Sequence, residues 1–287
     1  MPRNAYRIEY PTARTTPVVV ASPHSGRYYP WHFTRSTVLD ACAIRSSEDA
    51  FMDLLLADAP VLGAPMLAAE FPRAYVDLNR SADELDPGVV SGIRRINQTP
   101  RVSAGLGVIP RVVANGRAIY RGKLSLDEAQ ARLAEVWAPY HAALDGLMHS
   151  AQEAFGRAIL LDFHSMPHEA LDAAFRPGQR WPRVVLGDRF GTSCDSAVVE
   201  QIEAAFASAG LVVSRNTPFA GAFVTQHYGW PACGWHALQI ELDRLLYMDE
   251  RLIRPNGNFR NIKALLTDVL RHIIGSQAGQ QLPLAAE

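Results

Sequence analysis

Cysteine is scarce in this sequence: Cys42, Cys194 and Cys233 are the only three, and they lie far apart. An odd, unclustered set provides no disulfide framework and suits a reducing compartment. Without a CxxC pair, no metal can be held through paired thiolates. Excess charge of either sign is also missing. Lys and Arg number 28 against 29 Asp and Glu, a formal net charge of -1. No basic surplus is available to neutralise phosphates, so nucleic acid is not an expected partner. No apolar run approaches the ~18 residues of a membrane-spanning helix. The N-terminal stretch MPRNAYRIEYPTARTTP lacks the apolar centre of a signal peptide. A cytoplasmic location with no membrane partner is therefore expected. Internal repeats and low-complexity segments are absent. So is a G-x-S-x-G nucleophile elbow, which argues against a serine hydrolase.

What remains is ordinary globular material, 48% hydrophobic and 20% charged over 287 residues. A chain of this length buries roughly 75% of its surface on folding, so a core needs no staples. No stretch reads as a linker, and one domain spanning residues 1–287 is expected.

Short apolar runs alternate with helical patterns. Val18–Ser22 (VVVAS), Met66–Asp77, Ala158–Phe163 (AILLDF), Arg183–Leu186, Leu211–Ser214 and Ala237–Leu242 (ALQIEL) read as strands. Val38–Leu56 has helical character around AFMDLLLADA. Leu124–Phe155 is the best helix, with Ser125 as N-cap and Pro139 expected to break or kink it. Asp195–Ala209, stopped by Gly210, and Asn261–Ile274 are further helices. Asp83–Arg121 shows no period and reads as an irregular surface excursion. The last dozen residues read as frayed. The alternation predicts an α/β fold, a mostly parallel sheet covered on both faces.

Ligands in such sheets bind beyond the carboxyl ends of the strands. VVVAS leads into Pro23-His24-Ser25-Gly26, and AILLDF into His164-Ser165-Met166-Pro167. Two imidazoles at one sheet edge are a natural start for a zinc site, which needs three protein ligands and a free position. A carboxylate is the expected third ligand. Glu48 and Asp49 are adjacent candidates, though either can simply be a helix N-terminal acid. Asp162, placed on the opposite face of its strand from His164, is expected to orient a ligand imidazole from behind. Glu241 lies in an apolar strand, where a carboxylate is costly unless paired or functional. It reads as a general base, or as an ion-pair partner of Arg244. Arg73, Asn79 and Arg80, in FPRAYVDLNR, can grip an anionic substrate.

The segments VVVASPHSGRYYP, RSSEDAFMDLLL, FPRAYVDLNR, GLGVIPRV, LLDFHSMP, LGDRFGTSCD, NTPFAGAFVTQHYG and LQIELDRLLYMDE run in order from about residue 18 to 250. Together they resemble the N-formylglutamate amidohydrolase family. That family is similar in fold to zinc carboxypeptidases and succinylglutamate desuccinylases. The resemblance implies a three-layer α/β/α domain of the phosphorylase/hydrolase-like kind, with one Zn2+. It implies His24 and His164 as zinc ligands, Glu241 as the catalytic glutamate, and Asn79 and Arg80 as a carboxylate grip. It further implies hydrolysis of N-formyl-L-glutamate to glutamate and formate, a step of histidine degradation.

One departure matters. Zinc carboxypeptidases carry a ligand Glu three residues after the first His, where this chain has Arg27. The carboxylate must then come from Glu48 or Asp49. His227 and Tyr228 are expected to line the pocket mouth or bind the oxyanion. Imidazole and carboxylate ligands also accept cobalt, manganese or iron. The rival readings are a zinc hydrolase of another N-acyl amino acid, and a non-catalytic relative that binds an acidic ligand.

Overall fold

A computed structural model gives the fold over residues 4–93, 99–172, 174–175 and 181–278. Seven strands form one sheet: β1 (Tyr6–Glu9), β2 (Val18–Ser22), β3 (Met66–Ala69), β4 (Ala158–Met166), β5 (Val184–Gly187), β6 (Val213–Arg215) and β7 (Trp235–Asp243). Their spatial order is β1-β3-β2-β4-β7-β5-β6. The central strands β3, β2, β4 and β7 are parallel. β1 runs antiparallel at one edge, and β5 and β6 run against β7 at the other. β2 and β4 are buried along their whole length. A parallel strand covered on both faces has no wet side, which is why each opens as an apolar run.

The main helices are α1 (Leu126–Arg132), α2 (Ala138–Phe155), α3 (Ser196–Ser208), α4 (Phe223–Tyr228) and α5 (Phe259–Gln277). Strand alternation splits the core in two. Val18, Val20, Ile159 and Leu161 pack with Val199 and Ile202 of α3 and Leu266 and Leu270 of α5. Val19, Ala21, Ala158 and Leu160 pack on the other face with Ala129 of α1, Tyr140 and Leu144 of α2 and Val224 of α4. Each fully buried Leu or Val contributes about 1.5–3 kcal/mol relative to exposure. Two apolar faces on one sheet therefore demand two helical covers, and the three-layer α/β/α expectation holds. Among the described residues no helix is long and apolar enough to cross a membrane.

Several expected boundaries move, each for a local reason. The helix expected over Val38–Leu56 is broken. A 3-10 turn at Ala43–Ser47 gives way to extended backbone at Glu48, a left-handed Phe51 (φ 67°) and a short helix at Met52–Leu55. The cause is the Asp49 amide, which donates to the His24 carbonyl at 3.0 Å instead of to a helical ladder. The strand expected over Met66–Asp77 ends at Ala69, and a turn closes from the Tyr75 amide to the Pro72 carbonyl. Ser125 caps α1 as expected, its Oγ accepting from the Glu128 amide at 3.1 Å. Pro139 does not break the long helix. A π-helical stretch at Leu133–Trp137 precedes it and joins α1 to α2. The strand AILLDF runs on to Met166, so His164 lies inside β4 and not after it.

β1 is missing from the sequence reading because its four residues are all half-buried and show no apolar face. Among its described residues, the excursion over Asp83–Arg121 is irregular apart from a Thr99-capped turn of helix at Pro100–Ser103 and a 3-10 turn at Ala114–Gly116. α5 runs to Gln277, so the first of the last dozen residues, expected to be frayed, are helical, and those beyond 278 lie outside the described residues.

One buried histidine makes stability depend on pH. His141 of α2 donates from Nε2 to the Leu78 carbonyl at 3.0 Å, and its Nδ1 lies 3.0 Å from the Tyr228 hydroxyl. Burial pushes its pKa down to about 3. An unfolded-chain histidine titrates near ~6.5. Between those values the unfolded state binds the extra proton, so stability falls as the pH falls, by about 1.4 kcal/mol per pH unit. We expect the unfolding free energies of the parent and His141→Gln to converge by about 2–3 kcal/mol between pH 6.5 and 4.5. Urea titrations across that range measure it, and a constant gap would count against this account.

Candidate active site

The strand order opens a crevice at the carboxyl ends of β2 and β4. β2 is followed in the chain by its neighbour β3 on one side, whereas β4 is followed by strands on the other side. Such a switch point leaves the strand ends uncovered. A cavity of about 610 Å³ lies there, and His24, Asp49, His164 and Glu241 are among its lining residues.

Each group is delivered by a separate element. His24 sits two residues past β2, in a turn pressed against the backbone after β3. A Cβ on Gly26 would lie 2.0 Å from the Phe71 carbonyl oxygen, so SPHSG needs glycine there. Asp49 sits in the broken helix, tied to His24 by its own amide. His164 and Glu241 are directly paired in the register of β4 and β7.

The three side chains meet through defined atoms. Nδ1 of His24 and Nδ1 of His164 are 3.1 Å apart, and Asp49 Oδ2 lies 3.4 Å from the first and 3.1 Å from the second. Behind them, His24 Nε2 donates to Asp77 Oδ1 at 2.8 Å and His164 Nε2 to Asp162 Oδ2 at 2.9 Å. A carboxylate only accepts, so each Nε2 carries a proton, and each Nδ1 is the nitrogen turned toward Asp49, where it can give a lone pair to a cation. Two imidazole nitrogens and a carboxylate oxygen therefore face one another in a buried space. That arrangement suits a cation. The edges of a tetrahedron with ligand bonds of about 2.0–2.1 Å are about 3.3–3.4 Å long, close to the distances seen. His24, Asp49 and His164 are the metal-capable group among the described residues.

The electrostatics agree. Burial pushes Asp49 up, but hydrogen bonds and charge from His164 and His24 outweigh it and hold the carboxyl well below the usual range. Asp77 is likewise held low by Arg73, Arg80 and His24 against its burial. Burial drives His164 down, yet Asp162, Asp49 and Glu241 together push it well above an ordinary imidazole. The carboxylates thus favour positive charge where the ligand atoms meet. Burial lifts Glu241 to about 7, with Asp49 adding to the lift and His164 opposing it.

The remaining candidates sort by contact. Glu48 is not in the cluster: it is buried, accepts from the Tyr29 hydroxyl at 2.5 Å and pairs with Arg45 at 2.9 Å. Extended backbone at Glu48 sends neighbouring side chains apart, which separates it from Asp49. Glu241 forms no ion pair with Arg244 among the described residues; it accepts from Gln239 Nε2 at 2.9 Å. Asp162 shares a face with His164, contrary to expectation, because residues two apart on a strand point the same way. Arg73, Asn79 and Arg80 all line the cavity. Arg73 Nε donates to Asp77 Oδ2 at 2.9 Å, and Arg80 is held by the carbonyls of Leu106 and Asn79. Asn79 is mostly committed within the protein: Oδ1 accepts from the Val224 amide at 2.8 Å, and Nδ2 donates to Gln239 Oε1 at 3.1 Å. His227 is exposed and Tyr228 is buried against His141, and neither lines the cavity.

Sequence reasoning missed Asp77, Gln239, Ser165 and Arg101. For two of them a signal was there. Gln239 and Glu241 are two apart on a strand and so share a face, and Asp77 opens the same DLNR run that holds Asn79. Arg101, on the excursion, lines the cavity from a segment with no periodicity.

Comparison with known proteins gives a consistent result. A family model described as N-formylglutamate amidohydrolase matches residues 16–248. An N-formylglutamate deformylase of Pseudomonas aeruginosa is 34% identical over 242 residues, 82% of this chain and 83% of its own. One from Pseudomonas putida is 31% identical over 241 residues, 82% of each chain. The crystal structure of an N-formylglutamate amidohydrolase from Ralstonia eutropha JMP134 superposes with a TM-score of 0.90 at 33% identity, covering 96% of this chain and 99% of that one. This chain belongs to the N-formylglutamate amidohydrolase family.

Proposed function

We propose that this protein hydrolyses N-formyl-L-glutamate to L-glutamate and formate, with one zinc ion held by His24, Asp49 and His164. The observation that carries the reading is the convergence of those three side chains beside Glu241, in a chain of this family. With that substrate the step falls in histidine degradation, in the cytoplasm. A bound zinc supplies an acidified water, of pKa near ~7, and positive charge for the developing oxyanion.

Glu241 is the general base. It takes a proton from the attacking water as oxygen adds to the formyl carbon. It then delivers that proton to the α-amine as the C–N bond breaks. A carboxyl lifted by burial is suited to accepting and releasing a proton near neutral pH. Gln239 holds Glu241 Oε1 and fixes the orientation of the carboxyl. The order of this chain is set at its far end: the Val224 amide fixes the Asn79 amide, which fixes Gln239. Arg73 and Arg80, with Arg101 at the rim, meet the two substrate carboxylates, where guanidinium forks orient as well as bind. Asn79 serves them from behind.

Formate release from N-formyl-L-glutamate, with and without a chelator, tests the reading. Rapid release that the chelator abolishes is expected. A zinc-loaded protein that releases nothing from this substrate, yet cleaves another N-formyl or N-acetyl amino acid, would move the substrate assignment. A protein that takes up no zinc and cleaves nothing would support the non-catalytic reading.

Glu241→Gln should retain zinc while kcat drops by about 10²–10⁴. Near-normal turnover in that variant would remove Glu241 from its role. The ligand assignment is checked by metal content. Asp49→Ala should lose stoichiometric zinc, whereas Glu48→Gln should keep it, with equal loss in both contradicting the geometry.

A further inference from the structure

Arg244 enters the cavity wall immediately after β7, yet its contacts are with the metal cluster's own support. Its Nη2 donates to Asp49 Oδ1 at 3.2 Å, and its Nε to Ser165 Oγ at 3.1 Å. Its Nη1 donates to the Ser46 carbonyl at 3.2 Å. Ser165 Oγ in turn donates to the same Asp49 Oδ1 at 3.2 Å. All three side chains are buried: Arg244 is 6% exposed, Ser165 4% and Asp49 1%. Every guanidinium nitrogen has a partner within the protein, and each of those contacts lies behind or beside Asp49.

From these contacts we infer that Arg244 and Ser165 clamp the outer oxygen of Asp49, so that the metal takes the other oxygen alone. The inference rests on the metal reading above. The two Asp49 oxygens have different surroundings: Oδ2 faces both imidazoles, and Oδ1 faces two donors. A carboxylate turns about a broad, two-fold torsion, so nothing in aspartate itself keeps one oxygen forward. The fork supplies that selection, because Nε and Nη2 engage Ser165 and Asp49 together in a fixed plane. Single-oxygen binding preserves the position that a hydrolytic site leaves open. The clamp also joins the Ser46 turn, the broken helix and the end of β4 at one point. Arg244 is thus a positioning residue that acts through Asp49.

The test is metal binding, read without turnover. Zinc dissociation constants by chelator competition are compared for the parent, Arg244→Met, Arg244→Lys and Ser165→Ala. Loss of an outer partner of a metal ligand weakens binding by about 10–100-fold, the range expected for Arg244→Met. Arg244→Lys should recover part of the affinity, since it restores charge but not the fork. Ser165→Ala should show a smaller loss. Cobalt absorption provides the second readout. The parent should give the intense visible bands of four-coordination, and Arg244→Met weaker bands as a second carboxylate oxygen enters.

Affinities within two-fold of the parent and an unchanged cobalt spectrum would overturn the clamp. A raised KM with unaltered metal affinity would do so as well, by moving Arg244 to substrate binding. If Arg244→Met does not fold, Ser165→Ala decides, because it removes one donor and leaves the guanidinium in place. A parent protein that binds neither metal would refute the metal reading itself. A parent that binds both, with variants that match its affinity and its cobalt spectrum, would refute the clamp alone.

Discussion

Two buried hydrogen bonds, from His24 to Asp77 and from His164 to Asp162, set the conditions for everything at the strand ends. Each commits Nε2 to a carboxylate and turns Nδ1 inward. With both Nδ1 atoms at the Asp49 carboxylate, the cluster favours positive charge between its members. The cost is carried by the fold. Four carboxylates, Asp49, Asp77, Asp162 and Glu241, are withdrawn from water around one point. Buried anions persist only when paired and hydrogen-bonded. Arg73 on Asp77 and Arg244 on Asp49 supply that pairing within the protein. The His24–Asp49–His164 group is arranged so that a cation could supply the rest.

The same arrangement separates the roles of groups that share a charge. Asp49 is held low and suits permanent ionisation, whereas Glu241, one strand away, is lifted to about 7. The difference comes from partners. Asp49 has two imidazoles, an arginine and a serine against its oxygens, and Glu241 has a neutral amide. Two carboxyls pushed apart in this way can serve as ligand and base without exchanging functions. The amide chain Val224–Asn79–Gln239–Glu241 has a direction fixed by its backbone end. A side-chain amide that had to choose its own orientation would hold Glu241 less firmly.

The strands that carry this chemistry were legible because parallel, doubly covered strands leave a continuous apolar record. VVVAS and AILLDF are such records, and the histidines that follow them lie where the sheet opens. Period-two alternation was legible as well, and applied fully it puts Asp162 on the His164 face and Gln239 on the Glu241 face. What the sequence hid was tertiary. Nothing local distinguishes Glu48 from Asp49; the choice is made by the His24 carbonyl, which takes the Asp49 amide, and by Arg45 and Tyr29, which take Glu48. The helical composition of AFMDLLLADA likewise gives no hint of a left-handed Phe51. That residue turns under a long-range constraint that overrides propensity. β1 was hidden for the opposite reason, since a half-buried edge strand has no apolar face to betray it.

Arg27 bears on how Asp49 is placed. It stands third after His24, where the resemblance to carboxypeptidases would place a ligand glutamate. Its guanidinium instead reaches Asp53, with Nη2 2.9 Å from Oδ2. Asp53 is buried and lies four residues past Asp49, and Arg7 of β1 also contacts it, at 3.4 Å. The cation at position 27 therefore ties down the segment that brings Asp49. A second tie, from the Asp49 amide to the His24 carbonyl, fixes the near end. Between them the break at Glu48–Phe51 has both ends anchored to the strand that carries the first histidine. A carboxylate delivered on such a segment needs the surrounding fold to place it, where a ligand three residues after His24 would need only a local turn. The position of Asp49 is accordingly coupled to the packing of Met52–Leu55 against the sheet, and the meeting of His24, Asp49 and His164 is a property of the assembled fold.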